Sequence, residues 1–156
     1  MRDLIDLFGS VFSGLGRKDS KYSHGHLPSF AERGTWAEEL AADYLHGKGM
    51  KTRDKNYRCK FGEIDLIMDK KVANGETIIV FVEVRFRGSS HFGTGVESVD
   101  GRKQQRIIRT ARYYLQQNPR LRDKPCRFDI ISISPSSRDE GIHWIPAAFD
   151  AYVSWL

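Results

Sequence analysis

The sequence predicts an α/β domain, a sheet packed by helices, and three observations carry that prediction. The stretches "FGEIDLIMDK" and "IIVFVEVRFR" read as strands. Between them lies Asn74-Gly75, a strong hairpin signal. On either side of this pair, apolar residues recur at helical spacing. The expected order is helix, three strands, helix, strand, with no internal repeat.

Residues 1–30 are set apart from residues 31–156, the folded domain. The extension is rich in Gly and Ser, and Asp3 and Asp6 interrupt its apolar positions. A signal peptide needs a basic start and an unbroken apolar stretch, so a short amphipathic helix and flexible linker fit better. Membrane or partner contact is the lesser option for that helix. His24 and His26 read as incidental on such a tail.

From Gly34 the pattern turns helical. Trp36, Leu40, Ala41, Tyr44 and Leu45 fall on one face, and Gly47 and Gly49 close the helix. "MKTRDKNYRC" follows as an irregular polar strand, then the two strands named above. "SSHFGTGVESVDG", with three glycines, is a loop. A second helix runs from Gly101 to Gln117 and is stopped by Pro119. "RFDIISIS" is a strand bounded by Pro125 and Pro135, and "GIHWIP" a short last strand.

At 156 residues the chain can bury one core. Its longest apolar run, Ile78 to Val82, is far too short for a transmembrane segment. Cys59 and Cys126 have neither zinc spacing nor a neighbouring thiol, as expected of reduced cysteines in a cytoplasmic protein. A net charge of +5 and a pI near 9.3 favour an anionic partner.

Register in the hairpin decides what its charges do. Alternation puts Ile64, Leu66 and Met68 on one face and Glu63, Asp65 and Ile67 on the other. A two-residue loop at Asn74-Gly75 would set Asp65 opposite Val84. A three-residue loop, Ala73-Asn74-Gly75, sets Asp65 opposite Glu83 instead. Only the longer loop matches the apolar face to Val80, Val82, Val84 and Phe86, because a one-residue slip reverses every side chain. Glu63, Asp65 and Glu83 then share one patch. They are either ion-paired with arginines on a wet face or held by a hard divalent cation, Mg2+ or Mn2+.

The second helix has an apolar face of Ile107, Ile108, Ala111, Tyr114 and Leu115. Opposite it stand Arg102, Arg106, Arg109 and Arg112, with Lys103 at the boundary. Nine Lys and Arg between Arg102 and Arg127 face a single acid, Asp123, a local charge of +8. Solvated faces normally mix signs. Such one-sidedness suits phosphate contacts, so nucleic acid is the expected partner.

"GTWAEELAADYL", "NYRCKFGEIDLI", "VFVEVRFR", "FGTGVESVDGRKQQRI" and "RFDIISI" together resemble the YraN-type family of small bacterial proteins, over Gly34 to about Asp150. The family looks like a branch of the restriction-endonuclease-like superfamily. That resemblance implies an αβββαβ core, a mixed central sheet flanked by helices, and metal-dependent hydrolysis of DNA, which includes branched DNA. It assigns Asp65 and Glu83 to the motif's aspartate and glutamate, and Glu38 to its first-helix acid. These three become the implied metal ligands, with Glu63 an accessory acid that is either a ligand or an arginine partner. Arg85 stands where the motif has lysine, and arginine holds its proton where lysine can release one. Lys103, on the second helix, is the alternative source of an amine, though no sequence pattern places it at the strands. The rival expectation is a module that binds nucleic acid on the same scaffold without cutting it. DNA is favoured over RNA, and a resolvase role would require a homodimer.

Overall fold

The computed structural model describes residues 29, 32–87, 99–134 and 141–151. The readings of an N-terminal helix and of the glycine-rich loop before Val99 lie outside those residues.

Helix α1 spans Arg33–Gly47 and buries Trp36, Ala37, Leu40, Ala41, Ala42 and Leu45. Gly49, at φ +79°, turns the chain into β1 (Met50–Cys59). There follow β2 (Gly62–Lys71), β3 (Thr77–Phe86), α2 (Gly101–Gln117), a 3-10 turn at Pro119–Leu121, β4 (Cys126–Ile133) and β5 (Ile142–Phe149). The strands lie side by side in chain order. Only β3 and β4 run parallel, and α2 is the crossover that a parallel pair requires. The expected element order and mixed sheet are therefore present. β5 outruns the "GIHWIP" reading because Ala147 takes φ +49° and the strand passes Pro146 at the sheet edge.

The hairpin has the odd-length loop. Gly75 N–H donates to the Val72 carbonyl at 2.9 Å, and Val72 N–H to the Glu76 carbonyl at 3.0 Å. Gly75 has φ +84°, open to glycine without strain. Pairing then runs from Lys71↔Thr77 to Leu66↔Val82.

Two apolar layers fix that register. Leu66, Met68, Val80, Val82, Ile131 and Ile133 pack under α1. Ile67, Ile79, Phe81, Phe128 and Ile130 pack under Ile107, Ile108, Ala111 and Tyr114 of α2. Each fully buried Ile, Leu or Phe stabilises the fold by about 1.5–3 kcal/mol, so a slip that exposed one layer would be prohibitive. One residue departs from simple alternation: Ile64 packs in the α2 layer, not with Leu66 and Met68. It lies beyond the last β2–β3 pair. There the end of the β1–β2 ribbon coils toward α2, carrying Tyr57 against Tyr114 at 4.8 Å.

A buried carboxylate anchors the far edge. Asp129 accepts Arg127 Nε at 2.9 Å and Nη2 at 3.0 Å, Trp144 Nε1 at 3.0 Å and Ala147 N–H at 3.0 Å. Both cysteines are free thiols. Among the described residues no helix is long and apolar enough to cross a membrane.

Candidate active site at the strand fork

β2 and β3 part company after Leu66↔Val82, while β2 stays with β1 to Gly62 and β3 with β4 to Phe86. The first residues past the parting are Asp65 and Glu83. The Asp65 carboxylate reaches across the fork and accepts the Val84 backbone N–H at 2.7 Å. Burial, reinforced by the charge of Glu83, pushes the Asp65 pKa from its ordinary 3.8 to about 7. The Val84 amide and Lys103 oppose that shift, and Glu38 adds to it.

Glu83 is 6% exposed, and its Oε1 accepts the Lys103 ammonium. The first turn of α2 carries Lys103 there, and that turn is capped by Asp100, whose Oδ1 accepts Lys103 N–H at 2.8 Å. Glu38, on α1, lies within electrostatic range of Asp65, while its Oε2 accepts Asn56 Nδ2 at 2.9 Å. Asn56 has φ +52° and stands between the Lys55↔Leu66 and Tyr57↔Ile64 pairs, level with Asp65. Asparagine is among the few residues that accept that backbone.

The structure thus brings Asp65, Glu83, Glu38 and Lys103 into one electrostatic group. Glu63 stays outside it: exposed, it pairs with Arg58 at 3.2 Å, the arginine-partner alternative. Arg85 is half-buried and level with Ser132 of β4, whose buried Oγ has no hydrogen-bond partner among the described residues. Arg102, Arg106, Arg109 and Arg112 are exposed on α2. Asn56, Asp100 and Ser132 were not singled out from the sequence. "DGRK" before a helical pattern is a capping signal that points to Asp100. Nothing comparable marks the other two.

Among the described residues no three His, Cys, Asp or Glu side chains converge as a metal-holding set. Asp65 and Glu83 instead form an adjacent pair in which burial and the charge of Glu83 disfavour the ionised form of Asp65. Such a pair suits an open divalent site, since Mg2+ is commonly held by one or two carboxylates with water completing its shell.

A mixed five-stranded sheet with a helix on each face is an α/β fold compatible with a restriction-endonuclease-like core. Residues 37–133 match the model of the uncharacterised protein family UPF0102, and the chain belongs to that family. Among similar proteins, a UPF0102 protein of Nitrosomonas europaea is 45% identical over 80% of this chain and 98% of its own length. One from Pseudomonas aeruginosa is 42% identical, over 79% and 96% respectively. Another, from Nitrosococcus oceani, is 39% identical over 76% and 91%.

Proposed function

We propose that this chain is a metal-dependent endonuclease that hydrolyses phosphodiester bonds in DNA. The observation that carries the reading is the meeting of Asp65, Glu83 and Lys103 at the fork, next to the basic face of α2. Asp65 and Glu83 would hold the metal, with the charge of Glu38 nearby on α1. Mg2+ or Mn2+ there would supply acidification of water and charge neutralisation at the scissile phosphate. Val84 N–H fixes one Asp65 oxygen and so the orientation of the carboxylate.

Lys103 orients Glu83 and provides the releasable proton that Arg85 lacks. Arg85 stabilises charge that develops on the phosphorus oxygens. Arg102, Arg106, Arg109 and Arg112 grip the flanking phosphates. Arginine at the lysine position of the strand favours the second reading, a binding module without cleavage.

Branched, nicked and single-stranded DNA incubated with Mg2+ or Mn2+ separates the two readings. Cleavage by the wild type that is lost in both Asp65→Ala and Glu83→Ala supports the nuclease. Binding without cleavage under every metal condition leaves only the module.

A further inference from the structure

Phe61, in the tight turn between β1 and β2, is 38% exposed, the one exposed large apolar side chain among the described residues. Its ring stands edge-on to Tyr113 of α2, with centroids 5.6 Å apart. Lys60 Nζ lies 5.1 Å from the Phe61 centroid and 6.0 Å from that of Tyr113. The turn is pressed close to α2: a Cβ on Gly62 would sit 3.2 Å from Thr110 Oγ1 and 3.7 Å from Arg106 Nε. Arg106 therefore borders the turn that carries Phe61.

The position of this cluster gives it meaning. Lys103, Arg106, Thr110 and Tyr113 follow at three- and four-residue spacing, one stripe of α2. From Lys103 at the fork to Tyr113 the helix rises about 15 Å. A single exposed ring is ordinary on a protein surface. Two rings with a lysine above them, on the stripe that starts at the acidic fork, combine a π-face with cations. That combination fits a nucleobase and its phosphate. In a duplex the bases are stacked on one another and offer no free face, so the match is to an unpaired base.

We infer that Phe61 and Tyr113 form a stacking platform for an unpaired base, with Lys60 and Arg106 holding the adjoining phosphates. This rests on the nuclease reading for the fork and names its substrate class: DNA with a single-stranded segment beside the cleavage point, rather than plain duplex.

The test is fluorescence anisotropy in EDTA, using a labelled fork with one single-stranded arm, a single-stranded oligonucleotide and a blunt duplex. Phe61→Ala should weaken fork and single-strand binding by about fivefold to a hundredfold and change duplex binding by less than about twofold. Phe61→Trp should restore the loss, and melting curves should show both variants folded. Equal losses on fork and duplex, or no loss, overturn the platform. Chelation keeps this outcome separate from cleavage. Fork binding that depends on Phe61 in a protein that never cuts preserves the platform and defeats the nuclease. Cleavage that needs Asp65 and Glu83 but ignores Phe61 does the reverse. A wild type that binds none of the three DNAs defeats both.

Discussion

Lys103, in the first turn of α2, donates its ammonium to Glu83 in the middle of β3. The lysine side chain is 44% exposed and the carboxylate 6%, so the cation bridges a buried acid and solvent. The amine at this carboxylate thus comes from a helix, while the strand position two residues after Glu83 is Arg85.

Lys103→Ala should abolish metal-supported cleavage, whereas Lys103→Met, which preserves the stem, separates loss of the amine from loss of packing. Removing the partner of a buried carboxylate should also lower stability by about 1–3 kcal/mol in metal-free protein. Urea denaturation checks the second effect. Wild-type cleavage rates in both variants would remove Lys103 from the chemistry.

The Asp65 pKa, raised from 3.8 to about 7, makes metal-free stability depend on pH. Between those values the folded protein holds a proton that the unfolded chain has released. This contribution is therefore complete below about pH 4 and is lost as pH rises through about 7. Asp65→Asn keeps an acceptor for Val84 N–H and removes the titration. At pH 8 the variant should be the more stable by up to roughly 4 kcal/mol, and at pH 4 the two should converge. Parallel pH profiles for variant and wild type would contradict the assignment.

Divalent metal should relieve the same burden. At pH 8, Mg2+ or Mn2+ should raise the melting temperature of the wild type, an effect removed by EDTA. Asp65→Asn and Glu83→Gln should lose that increase. An equal rise in all three proteins would place the metal elsewhere.

Gly75 offers a test of the turn itself. Its φ of +84° is disfavoured for residues with a Cβ, and space around it is open, so Gly75→Ala should cost about 1 kcal/mol through backbone strain alone. Deleting Ala73 is more severe, because the shortened loop would shift Asp65 relative to Glu83 and expose one apolar layer. Chemical denaturation distinguishes a modest loss in the first from failure to fold in the second.

Much of this architecture was legible because Asn74-Gly75 located the turn and apolar matching chose its length. That matching selected a three-residue loop, and the choice brought Asp65 and Glu83 to the fork between β2 and β3. Ile64 was misassigned because alternation holds for a strand constrained on both sides, and β3 no longer pairs there. The reach of Lys103 was illegible for a different reason: it depends on where the crossover lays α2, which no local pattern specifies. The Asp129 cluster likewise joins β4 to β5 through a carboxylate that looks like any other acid in the sequence. Family resemblance picked out Glu38, yet it gave no sign that Asn56 holds its carboxylate.

The parallel pairing of β3 with β4 makes α2 a crossover, so the charges at the fork come from two separate units, the hairpin and the helix. The hairpin aligns Asp65 with Glu83, whereas Lys103 reaches the fork only when α2 packs on the sheet. A nascent or half-folded chain therefore carries mutually repelling carboxylates with no ammonium among them. On the proposed nuclease reading, a copy whose helix has not docked lacks the amine at its fork.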